Sequence, residues 1–170
     1  MEGSLSEDFD QAALSARVQE FGEELRRGMK LRQRLVELVR LRIAFHNQCR
    51  PCMSMRYGTA VDDGVTEGLV CSLEKPAEAP DLSAAEKAAL AFADRFATDH
   101  LSIDAAMLAE LRRHFDAQEL AELGALAAFF TGFGRMGAVF DGGQPLPVGF
   151  RNEDGSKLAP WRVPEPVILR

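Results

Sequence analysis

From about residue 8 to residue 140 the chain is rich in Ala, Leu, Glu and Arg and has almost none of the alternating β-branched runs that strands need. This pattern predicts an all-α body with no significant sheet. Two helix starts can be read directly: Ser83-x-x-Glu86 and Asp116-x-x-Glu119 are capping boxes, whose side chains satisfy the free N–H groups of a first turn. Between them Asp104 can cap a short helix carrying Met107, Leu108, Leu111 and Phe115 at helical spacing. That helix would end at Arg112-Arg113-His114, where positive charge suits the negative end of a helix. Glu74 to Pro80, with Pro76 and Pro80, reads as a linker between a front half bearing a cysteine pair and a back half of three helices.

At Asp141 the composition changes. Five of the eight prolines and Gly142, Gly143, Gly149 and Gly155 lie beyond it, which excludes a continuous helix. Phe150, Trp161, Val163, Val167, Ile168 and Leu169 are nevertheless too apolar for a solvated tail. The expected organisation is one helical domain over residues 1–140 and an irregular arm over 141–170, packed on the body or on a neighbouring subunit. A chain of 170 residues can bury such a core without disulfide staples.

The net charge of −6 argues against nucleic acid or an anionic membrane as the main partner. The first ten residues are acidic, without the basic region of a secretory signal, and no apolar run approaches a membrane span. A cytoplasmic address is expected. Three cysteines are too few for a secreted disulfide framework, and a close pair in a reducing compartment is more often catalytic or metal-binding than structural.

That pair is Cys49-Arg50-Pro51-Cys52. A helix beginning near Cys49 would align Cys49, Cys52 and Arg56 on one face and tolerate Pro51 in its first turn. The N–H groups of that turn, with Arg50 and Arg56, would lower a thiol pKa and raise the thiolate fraction. A thiolate that attacks a peroxide becomes a sulfenic acid, and a second thiol three residues away can condense with it to a disulfide and water. Two plainer readings compete with this. Zinc would need further ligands from Cys71, His46, His100 and His114, none of which forms a second close pair. The thiols could also be inert small hydrophobes, as Cys71 is expected to be in the core. No cofactor or metal is expected.

Glu37 lies twelve residues before Cys49 in an amphipathic helix. Its plain reading is an exchangeable surface acid paired with Arg34 or Arg40 at i±3. Its functional reading is a buried carboxylate that accepts the thiol's proton. Glu37 followed by Cys49-x-x-Cys52 within Arg40-Leu41-Arg42-Ile43-Ala44-Phe45-His46-Asn47-Gln48-Cys49 resembles the carboxymuconolactone decarboxylase superfamily, most of all its alkylhydroperoxidase D-like branch. The likeness runs from about Arg32 to Phe140, including the Leu82-Ser83-Ala84-Ala85-Glu86 stretch and Phe133-Gly134-Arg135-Met136. It implies an all-α fold and a homo-oligomer, a trimer or hexamer or else a dimer. It also implies peroxide reduction through a disulfide between Cys49 and Cys52, with electrons from an external thiol or a lipoylated protein. By the same analogy Cys52 is peroxidatic and Cys49 resolves, although a more exposed first thiol would reverse those roles.

Two positions depart from the family. Its histidine between the cysteines is Pro51, and its histidine four residues after the second is Arg56. Arginine stays protonated, so Arg56 can stabilise a thiolate but cannot shuttle a proton. Glu37 would then take the proton directly or through water, or His46 or Tyr57 would substitute. His46 also reads plainly as a partly buried histidine near a helix end.

Gly132-Phe133-Gly134-Arg135-Met136-Gly137 spells a dinucleotide-binding pattern, yet an Ala/Leu helix precedes it where a strand is required. Close helix contact is the expected role of these glycines. The function expected is a thiol-dependent peroxidase acting on a small-molecule peroxide. The alternatives are a lactone decarboxylase-type lyase with incidental cysteines and a non-catalytic, redox-responsive oligomeric protein.

Overall fold

A computed structural model describes residues 11–140, 146–151, 156–161 and 165–170. Among them are eight α-helices and two three-residue strands. The helices are α1 (Gln11–Arg26), α2 (Gln33–Asn47), α3 (Arg50–Ser54), α4 (Gly58–Asp62), α5 (Glu67–Cys71), α6 (Ala84–Thr98), α7 (Ala105–Arg112) and α8 (Ala117–Val139). Strand β1 (Met55–Tyr57) pairs in parallel with β2 (Val167–Leu169), Met55 opposite Val167. The all-α expectation therefore holds, with one short pair added where the C-terminal segment returns to the body. None of the described helices is long and apolar enough to cross a membrane.

Helix α2 is the axis of the molecule, and its sequence explains why. Leu35, Val36, Val39 and Ile43 recur at helical spacing and join Ala89, Phe92, Ala93 and Ala97 of α6 and Leu123, Leu126, Ala127 and Phe130 of α8 in one core. Leu38 and Leu41, on another face, enter a second core with Val65, Leu69, Val70, Leu73 and Leu90. A helix buried on both faces has no solvent for its polar side chains. Glu37 and Arg40 are consequently buried along with the leucines and must satisfy each other.

The predicted caps are all present. Ser83 and Asp116 form reciprocal capping boxes with Glu86 and Glu119, and the Asp104 carboxylate accepts from the Met107 N–H. The described parts of the C-terminal arm fold back onto the body. Leu146 and Phe150 join Ala44 and Met53 in a third small core, while Ala159 and Trp161 enter the second. Full burial of a Phe side chain such as Phe150 contributes about 1.5–3 kcal/mol, so the arm is held by its apolar residues as well as by β2. Val163 lies outside the described residues.

Candidate active site

Helix α2 ends at Gln48, which takes a left-handed conformation (φ 54°) and directs its N–H back to the carbonyls of Ala44 and Phe45. The chain turns there, and Cys49 becomes the N-cap residue of α3. Pro51 sits in the first turn, where a missing N–H costs nothing. Cys49 and Cys52 form a disulfide, S–S 2.04 Å and Cα–Cα 5.2 Å. The pair is not symmetric. Cys49 is fully buried, whereas Cys52 is half-buried and lines a cavity of about 510 Å³.

The cavity is walled by α1 (Val18, Gly22, Glu23, Arg26), by α8 (Phe129, Phe130, Phe133, Met136), by Met55 and Tyr57 of β1, and by the C-terminal Ile168, Leu169 and Arg170. Pro51, Cys52, Arg40 and Ala44 also line it, as do Ser15 and Gln19 of α1 and Gly134 of α8. Its volume falls within the ~300–1,000 Å³ typical of small-molecule sites, and like them it is largely apolar with a few polar groups.

Arg40 organises the floor. Its Nε and Nη2 donate to the two oxygens of Glu37 at 2.7 Å each, Nη1 donates to the Cys52 carbonyl at 2.5 Å, and Nη2 also donates to the Met55 carbonyl at 2.7 Å. The Tyr57 N–H adds a third bond to Glu37, at 3.2 Å. Burial acts to lower the Arg40 pKa, but the Glu37 carboxylate more than offsets it, so Arg40 is held above its ordinary value and stays charged. Glu37 is therefore a buried acid, as its functional reading requires, and not the exchangeable surface acid of the plainer reading. It is also not on the cavity wall, and Arg40 bridges it to the Cys52 carbonyl.

The other expected site residues are placed elsewhere. Cys49, Cys52 and Arg56 do not share a helix face, because α3 ends at Ser54 and Arg56 lies in β1. The buried Arg56 guanidinium spends five donations on Glu67 (two, 2.9 Å each) and on the carbonyls of Met53, Met55 and Pro160. A guanidinium has five N–H donors, so none remains to donate to a thiolate. Instead it ties β1 to α5 and the arm. His46 Nε2 lies 2.7 Å from Asp94 of α6, which Arg42 also holds, and His46 is not on the cavity wall. Cys71, expected in the core, is exposed at the C-terminal end of α5, with its thiol toward the Trp161 carbonyl. Among the described residues no group of three or more His, Cys, Asp or Glu side chains is arranged to hold a metal.

Two of the three glycines of the pattern in α8, Gly134 and Gly137, are used for close packing, as expected, whereas Gly132 has open space where a Cβ would stand. A Cβ at Gly134 would collide with the Asn47 side chain, whose Nδ2 donates to the Phe130 carbonyl at 2.9 Å, and a Cβ at Gly137 would lie 3.2 Å from the Cys49 sulfur. Small residues there let α8 cover the buried sulfur. Sequence reasoning missed three contributors: Arg40 as the central cation, and Arg26 and the α1 wall. The i, i+3 spacing of Glu37 and Arg40 was a signal for the pair; nothing in it told that both were buried.

The family model for the carboxymuconolactone decarboxylase family matches residues 12–95, a span that holds Glu37, Arg40, both bonded cysteines and the α1 wall. Two uncharacterized proteins of Mycobacterium tuberculosis, from strains CDC 1551 and H37Rv, are each 39% identical over 89 residues. Those matches cover 51% of this chain and 31% of the relatives' own length. Among solved structures, a protein of unknown function from Agrobacterium tumefaciens, suggested to be the antioxidant defence protein AhpD, aligns with a TM-score of 0.67 and 20% identity. That alignment covers 81% of this chain and 94% of the other, a likeness of fold. With the disulfide and its acid inside the matched segment, residues 12–95 are similar to the carboxymuconolactone decarboxylase family, and the chain shares the helical, alkylhydroperoxidase D-like fold of that structure.

Proposed function

We propose that this protein is a thiol-dependent peroxidase in which Cys52 attacks a hydroperoxide and Cys49 resolves. The observation that carries this reading is the division of the pair, Cys52 on the cavity wall and Cys49 fully buried. In the reduced protein the Cys52 thiolate attacks the outer peroxide oxygen, the O–O bond breaks, and the departing alkoxide takes a proton to leave as an alcohol. Cys49 then attacks the sulfur of the Cys52 sulfenic acid, and its thiol proton leaves with the hydroxyl as water. The balance is one peroxide and two thiols consumed, with one alcohol, one water and one disulfide formed.

Cys49 is fully buried and Cys52 lines the cavity, so an external reductant would attack at Cys52. Attack there gives a mixed disulfide on Cys52 and frees Cys49, which can attack back and undo the step. A dithiol outruns that reversal because its second thiol is already tethered to the mixed disulfide. This favours a dithiol such as a lipoyl group over monothiols. In this reading Glu37 is a positioning residue: it holds Arg40, and Arg40 holds the Cys52 carbonyl. The same reading takes the protein as a homo-oligomer, supported by apolar side chains left exposed at Phe21, Val139 and Phe140 and measurable by sedimentation.

The test is steady-state peroxide reduction with dihydrolipoamide and, in parallel, with a monothiol at equal thiol concentration. Turnover at least tenfold faster with the dithiol, and lost in Cys52→Ser, supports the reading. Equal rates, or turnover that survives Cys52→Ser, overturn it.

A further inference from the structure

Among the described residues, one cation on the cavity wall has no acid. Arg26, in the last turn of α1, directs Nη1 to the Tyr57 hydroxyl at 3.1 Å and lies with its guanidinium carbon 4.0 Å from the centre of the Tyr57 ring. Among the described residues it has no carboxylate partner. The other two arginines of the wall differ in this respect, since Arg40 is neutralised by Glu37 and Arg170 lies beside Asp62. Glu23, also on the wall, makes no ion pair with Arg26 among the described residues. A guanidinium with unspent donors at the edge of an apolar chamber is a seat for a planar anion, which it can hold through two parallel charge-assisted bonds.

The geometry points to an apolar organic acid as the ligand of this cavity, with its carboxylate on Arg26 and its body against Phe129, Phe133, Met136 and Ile168. Tyr57 is shared by two arginines of the wall. Arg26 and Arg40 stand 4.0 and 4.8 Å from the same ring centre, and Arg40 is bonded to the backbone of Cys52. A ligand anchored at Arg26 therefore extends toward the reactive sulfur. This inference rests on the peroxidase reading only for what happens to the ligand: in that reading the preferred substrates are hydroperoxides that also carry a carboxylate. The seat itself is a matter of binding.

Binding is therefore measured apart from turnover, on the Cys49→Ser/Cys52→Ser protein, which has no thiol cycle. Titration calorimetry compares decanoate with its neutral counterpart decanamide, on that protein and on the same protein carrying Arg26→Gln. Decanoate is expected to bind about tenfold or more tightly than decanamide, and Arg26→Gln is expected to abolish that preference by weakening decanoate far more than decanamide. Retained decanamide binding also reports that the variant is folded. Equal affinity for the two probes, or a preference that survives Arg26→Gln, overturns the proposal. Peroxide turnover in the wild type is scored separately, so a failed peroxidase reading leaves the binding result standing, and the reverse.

Discussion

Glu37 is a fully buried acid, paired with Arg40 on α2. An acid that acted as a base would have to meet the Cys52 thiol, but this one is bonded to Arg40 on both oxygens and to the Tyr57 N–H. The two accounts differ in sign. If Glu37 works only by holding Arg40, Glu37→Gln removes a negative charge and leaves the Arg40 charge uncompensated near Cys52, so the thiolate is favoured. Alkylation of the reduced protein by iodoacetamide, followed against pH, should then show its midpoint moved to lower pH. A midpoint moved up would restore Glu37 as the base. His46 has a separate part to play, in stability. Burial raises the pKa of its partner Asp94, but hydrogen bonds from His46 and Arg42 outweigh burial and hold the carboxyl below its ordinary value of 3.8. A depressed folded pKa contributes stability that is present above the unfolded value and lost as pH falls through the folded one. Asp94→Asn should therefore unfold at lower denaturant concentration than the wild type at pH 7, and the gap should narrow as pH drops below about 4.

At the scale of elements, α8 carries a contrast that separates packing from propensity. Gly132 is exposed, with open space where a Cβ would stand, whereas Gly134 faces Asn47 at close range. Gly132→Ala should stabilise the protein by about 0.5–1 kcal/mol through helix propensity alone. Gly134→Ala gains the same propensity yet must displace Asn47, and is expected to be net destabilising by urea denaturation. Helix starts were legible in the sequence because a capping box is a local device: Ser83 with Glu86 and Asp116 with Glu119 need no distant partner. The apolar spacing of α2 was legible for the same reason. What could not be read were elements defined by distant contact. Strand β1 exists because residues 167–169 return to it, and so Arg56 leaves the helix face that local spacing assigned to it. The exposure of Cys71 likewise depends on how the arm runs, with Trp161 entering the core and Cys71 left at its edge. The cysteine pair and its acid were visible as residues, while the α1 wall with Arg26 was not, since its relation to Cys52 spans the whole fold.

At the scale of the molecule, the site is a place where three layers meet: α2 supplies the charged floor, α3 the sulfurs, and α1, α8 and the C-terminal strand the walls. The arrangement leaves Cys52 on the cavity wall and buries Cys49, and the proposed cycle depends on that asymmetry. Its most direct measurement is a single turnover of reduced protein with one equivalent of alkyl hydroperoxide, followed by thiol counting and by sulfenic acid trapping with a cyclic 1,3-diketone. The wild type is expected to lose two thiols per peroxide, Cys49→Ser to give a trapped sulfenic acid at Cys52, and Cys52→Ser to show no comparable peroxide consumption. Rapid consumption by Cys52→Ser with the trapped adduct on Cys49 would contradict the proposed cycle.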